Sequence, residues 1–179
     1  MSWLKTTCTT VVKDRRKLDE IMAKAARLSR KEVAVGWLAP SQQHRRFGAG
    51  GQIVTDTRNT VVDVAAQHEF GDVARNLPRR PVLGTAVDMY RRDLGAKIAS
   101  SAKAFIEGPL SEDALLTKLG AFWKERVQRT FTDTNGWAPL TPKYAARRLR
   151  HTPHTLPLLD TGHLRESVEY RVVSKGYGA

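Results

Sequence analysis

Hydrophobic residues recur along this chain at two periods, and the changes of period mark its elements. Residues 6–12 (TTCTTVV) are rich in β-branched side chains and predict a short strand. Over 13–30, Leu18, Ile21, Met22, Ala25 and Leu28 fall three or four apart, which places them on one helical face. Asp14 suits its N-cap, and Arg27 and Arg30 suit the negative end of its dipole. Residues 31–38 (KEVAVGWL) alternate, with Val33, Val35 and Trp37 on one side of a strand. Residues 39–57 break both periods. They hold Pro40, the polar run SQQHRR and Gly48, Gly50 and Gly51, and read as a long, flexible exposed loop or a mobile hairpin.

Helical spacing returns at 59–70, with Val62, Ala65, Ala66 and Phe70 on one face and Gly71 as a stop. Residues 72–81 read as irregular, with Pro78 and Pro81. The longest helix is predicted over 82–107, with Leu83, Val87, Tyr90, Leu94, Ile98, Ala102 and Phe105 inward. Gly108 and Pro109 end it. Ser111 caps a helix running to about Phe131, with Leu116, Leu119, Trp123, Val127 and Phe131 inward. A loop around Asn135 and Gly136, a short basic helix over 142–150, one or two helical turns over 160–167 and a last strand over 167–173 complete the chain. These elements predict one α+β domain over 1–179: a small, mostly antiparallel sheet packed with helices.

Composition narrows the partners. Thirty Lys and Arg against 18 Asp and Glu give a net charge of +12. Residues 1–50 hold eleven basic and four acidic residues, 51–110 eight and seven, and 111–179 eleven and seven, so the excess sits towards both ends. Such a balance favours acidic partners, whether nucleic acid, an anionic membrane surface or an acidic protein face, without choosing among them. The basic residues occur as pairs and triplets rather than as a tail. No apolar run approaches a membrane span, and the first residues, MSWLKTTCTTVVKDRR, have no apolar signal core. The single cysteine, Cys8, excludes an internal disulfide and suits a reducing compartment.

Catalytic patterns are missing. His151, His154 and His163 lack clustered Asp, Glu or Cys partners, apart from Asp160, and read as loop histidines rather than zinc ligands. His68-Glu69 starts like a zincin motif, but position 72 is Asp72. No G-x-S-x-G elbow, phosphate-binding glycine loop or carboxylate pair occurs. Catalytic residues, metal ligands and cofactors are therefore expected to be none. Zinc-finger, bZIP and RRM patterns also fail, and the dispersed tryptophans suit core or interface anchoring.

Two segments carry a family resemblance. In residues 61–94 a helix ends in His68-Glu69-Phe70-Gly71, followed by Leu77-Pro78-Arg79-Arg80-Pro81-Val82-Leu83 and a long helix. This resembles the tail-completion or neck (head–tail joining) proteins of tailed bacteriophages; the Arg80-Pro81-Val82 step is longer and less aromatic than is usual there. Residues 136–173 hold Trp137, Pro139, Leu140 and Thr141, a basic helix, and Pro157-Leu158-Leu159-Asp160-Thr161-Gly162 with Leu164 and Ser167. This resembles the ending of phage virion-morphogenesis proteins. Residues 1–50 match only in outline.

The resemblance implies a structural virion protein of the neck, assembled as a ring, sixfold by preference, around the DNA channel. Its implied partners are itself, a tail terminator or tail tube protein, a head-completion or connector protein, and genomic DNA contacted non-specifically, with no membrane. The implied location is the head–tail junction. Candidate interface or channel residues are Arg45, Arg46, Phe47, Arg79, Arg80, Trp137, Arg147 and Arg148. The segment 39–57 is expected to meet a neighbouring subunit, and deleting 42–52 to spare the fold. The alternative is a basic DNA-binding protein acting outside a particle.

Overall fold

A computed structural model describes residues 15–48, 50–133 and 136–176. The expected strand 6–12 and the Asp14 cap lie outside the described residues. Helix α1 (Arg15–Leu28) leads into β1 (Lys31–Gly36), which pairs antiparallel with the last strand, β4 (Glu169–Ser174), from Lys31–Ser174 to Gly36–Glu169. This two-stranded sheet lies on helix α4 (Glu112–Arg129). Gly120 lets it come close: a Cβ there would meet Tyr170 Cδ2 at 2.5 Å and Val33 Cγ2 at 2.8 Å.

Of the two expectations for residues 39–57, loop or hairpin, the hairpin holds. Strands β2 (Gln43–Phe47) and β3 (Ile53–Thr60) form an antiparallel hairpin, irregular at Gln43/His44. Thr60 ends β3 and caps α2 (Val61–Phe70): its hydroxyl accepts from Asp63 N, while the Asp63 carboxylate accepts from Thr60 N. This capping box starts the helix two residues later than its apolar spacing predicts. Gly71, at φ +78°, then turns the chain where a Cβ would crowd the backbone of Leu77 and Arg79.

Helix α3 (Val82–Glu107) has the predicted bounds. Pro81 offers it no side-chain cap; instead the Glu69 carboxylate of α2 accepts from Leu83 N at 3.1 Å and Gly84 N at 3.2 Å. Its apolar stripe is only partly covered. Val82, Ala86 and Phe105 are buried, but Val87 and Ile98, expected inward, are 50% and 47% exposed. A helix of 26 residues is about 39 Å long, and it is covered at both ends, by the burial of Val82 and of Phe105, along one face only. Lys24 of α1 donates to the carbonyls of Phe105 and Gly108 at its C-terminal end, where a cation is favoured.

Ser111 caps α4 as expected, accepting from Ala114 N. Leu116, Val127 and Phe131 are buried, while Leu119 and Trp123 are half-buried. Helices α5 (Pro142–Arg148) and α6 (His163–Glu166) flank an irregular stretch that leads to β4. The core joins Val61 and Ala65 of α2, Val82 and Ala86 of α3, Val127 and Phe131, and Leu159, Leu164 and Val168. The fold is thus α+β, with two separate two-stranded antiparallel sheets among the described residues.

Gly120→Ala should destabilise the protein by about 1–3 kcal/mol, because the added methyl must displace Tyr170 and Val33. Chemical denaturation measures this, and an unchanged midpoint would contradict the close approach.

Candidate functional site

The two motif-bearing segments fold into one unit. Beyond the Gly71 turn, Arg80 N donates back to His68 O at 2.7 Å, which aims the Arg80 side chain inward. Its Nε and Nη2 both donate to Ala138 O, at 3.2 and 3.0 Å. The residue before Ala138 repeats the link, since Trp137 Nε1 donates to Thr85 Oγ1 at 3.1 Å and the indole meets Phe131 edge-on. From α5, Arg148 Nη1 donates to Leu156 O at 2.9 Å, and its Nε lies 3.5 Å from Asp160 Oδ1.

The hairpin is stitched to the same unit. One edge of β2 pairs with β3. On the other edge Arg45 N donates to His163 Nδ1 at 3.2 Å and Arg45 O accepts from Thr161 Oγ1 at 3.0 Å. Trp37 Nε1 donates to Leu164 O at 2.8 Å. Phe47 stacks on His151 with ring centroids 5.3 Å apart. Removing residues 42–52 would therefore take away a fold-bearing strand, contrary to the expectation that the fold survives.

Between these segments lies an open cavity of about 510 Å³. Leu77, Pro78, Pro139, Leu140, Leu158 and Leu164 give it apolar walls. Into it face His44, His68 and His163, the phenol of Tyr144, and Arg46, Arg75, Arg80 and Arg148; Asp160 is the single acid of the lining. Burial holds all three imidazoles below their usual pKa. His68 is pushed down to about 4, first by burial and then by the Arg80 charge. Near neutral pH the histidines are uncharged and the guanidinium groups carry the cavity's charge.

The expected interface residues divide. Arg45, Arg46, Arg79 and Arg147 are exposed, with Arg147 over the Tyr144 ring at 4.8 Å. Arg80 and Arg148 are not on a surface: they are only 5% and 4% exposed, because each bonds a backbone carbonyl of the segment it packs against. Phe47 and Trp137 also have partners within the chain. Sequence reasoning missed Glu69 as the cap of α3 and His44, Tyr144 and Asp160 as cavity residues. They come from unrelated positions, and no local spacing links them.

Among the described residues, no group of three or more His, Cys, Asp and Glu side chains is arranged to hold a metal ion. No described helix is long and apolar enough to cross a membrane. No family model, curated protein or solved structure matches the chain.

The depressed His68 pKa sets a pH dependence. Between its ordinary value of 6.5 and about 4 the unfolded chain binds a proton that the folded chain does not. Its contribution is therefore complete above the upper value and declines as pH falls towards the lower one. Going from about pH 7 to about pH 5 should cost on the order of 2 kcal/mol through this group. His44 and His163 shift in the same direction and add to the slope. Denaturation of wild type and His68→Phe at both pH values measures the term; equal pH slopes would refute it.

Proposed function

We infer that this chain is a structural virion protein of a tailed-phage neck, completing the tail and joining it to the head as a ring around the DNA channel. The observation that carries this reading is the interlock of the two segments that resemble phage neck and morphogenesis proteins. Glu69 caps α3, Gly71 returns the chain, Arg80 reaches Ala138 and Trp137 reaches Thr85. The motif residues build a frame, as an architectural role requires, and no catalytic role is assigned to them.

The surface supports the same reading. Lys143, Arg147 and Arg150 line a shallow depression that Tyr144 shares with the cavity, and Arg46 and Arg75 lie at the cavity itself. Cations of the hairpin, the 72–80 turn and α5 are thus gathered around one part of the molecule. Such a face contacts phosphates without reading bases, which suits DNA in transit through a channel. Exposed apolar residues on α3, Val87, Ile98 and Ile106, with Phe70 and Val73, suit contacts with neighbouring subunits or with tail and head-completion rings. The tip of the hairpin, anchored by Phe47, is the segment we assign to an inter-subunit contact. A tail is sixfold, so a closed ring of six with two different faces per subunit is the simplest assembly.

Particles made without this chain should show filled heads and tails that fail to join, visible by electron microscopy. Mass spectrometry of intact virions should find copies in a multiple of six. Normal particles lacking the chain would exclude the neck role. Steeply salt-dependent DNA binding with no particle association would instead favour a DNA-binding protein acting outside the virion.

A further inference from the structure

The cavity holds more positive charge than its own acids balance. Arg46 has Asp56 at 3.8 Å and Arg75 has Asp72 at 3.4 Å, so the two exposed arginines carry their own counter-ions. The two buried ones are less well matched. Arg80 donates to a neutral carbonyl and has no carboxylate within ion-pair reach among the described residues. Arg148 has Asp160 at 3.5 Å as its sole ionic contact, and among the described residues its Nη2, though buried, has no hydrogen-bond partner. Two guanidinium groups at 5% and 4% exposure are therefore matched by one carboxylate, which pairs with Arg148 alone. A buried, uncompensated charge is costly, and a guanidinium edge with free N–H donors matches an oxyanion. Burial lowers both arginine pKa values, yet guanidinium stays charged in proteins, so the imbalance is not relieved by losing a proton.

The walls define the rest of the ligand. Seven apolar side chains line a space within the range of small-ligand sites and larger than a bare inorganic anion requires. Tyr144 adds a phenol to the same lining. We propose that this cavity binds a carboxylate carried on an apolar body, with Arg148 as the anion anchor and Leu140, Leu158 and Leu164 as the apolar seat. The site does not rest on the neck reading and is present in the single folded chain. A free small acid and an acidic residue of a peptide present the same group.

The test uses the full chain, amide-resolved NMR titration and four probes: 3-phenylpropionate, its neutral amide, a capped Leu-Glu-Leu tripeptide and inorganic phosphate. At least one of the two carboxylates should bind saturably in the millimolar range, shifting the amides of 139–144 and 158–164. The neutral amide should bind roughly tenfold more weakly or worse. Which carboxylate binds better assigns the source as a small acid or a peptide. Arg148→Met should abolish the preference for the charged probe. Should that variant fail to fold, Asp160→Asn tests the same idea with the opposite sign: removing the competing carboxylate should tighten carboxylate binding about threefold or more. Equal affinity for acid and amide, tighter binding of phosphate, weaker carboxylate binding by Asp160→Asn, or no saturable shift at these residues would each overturn the proposal.

Discussion

The antiparallel pairing of Lys31–Gly36 with Glu169–Ser174 is the constraint on which the rest of this structure depends. It joins distant parts of the described chain, so every described element except α1 lies within the loop it closes. The pairing needs a surface to lie on, and α4 supplies it only because position 120 has no side chain. With the sheet seated there, Trp37 reaches the carbonyl of Leu164, and the turn holding Thr161 and His163 is delivered to the open edge of β2. An exposed strand edge is thereby covered by side-chain hydrogen bonds rather than by another strand.

A second constraint acts on charge. The chain is strongly basic, and most of its cations sit at the surface, where water stabilises them. Arg80 and Arg148 are exceptions. Each ties two segments together by donating to a backbone carbonyl, Arg80 the 72–80 turn to the loop at Ala138 and Arg148 helix α5 to the irregular stretch at Leu156. The same burial that makes them good braces leaves them short of negative charge, and the cavity between them inherits that deficit. Bracing and anion recognition are two consequences of one placement.

Around that cavity lie the residues on which the likeness to phage proteins rests. Read along the chain they are a pair of separated motifs; in space they are neighbours, joined by Arg80 to Ala138 and by Trp137 to Thr85. A frame of this kind suits the proposed architectural role, and its exposed surroundings, basic on α5 and apolar on α3, are the two kinds of surface that role would use.

Periodicity alone placed α3, α4, the strand at 31–36 and the final strand to within a few residues, because each is set by side-chain spacing and by caps such as Ser111 and Gly71 that act locally. It also marked Pro142 as the start of α5. What it could not show is anything set by distant partners. Gln43–Phe47 has no alternation to betray a strand; its conformation comes from β3 and from Thr161 and His163, more than a hundred residues away. Apolar spacing could not reveal that Val87 and Ile98 stay exposed, since that depends on which face of α3 its neighbours cover: Ala86 and Ser101, close along the helix, are buried. Nor could a run of arginines tell which face water. Arg79 and Arg147 are exposed and Arg80 and Arg148 are buried, although the two members of each pair are adjacent: the second of each packs against a segment brought in by the tertiary fold, Ala138 for Arg80 and Leu156 with Asp160 for Arg148, whereas Arg79 bonds the nearby Glu69 carbonyl from the surface.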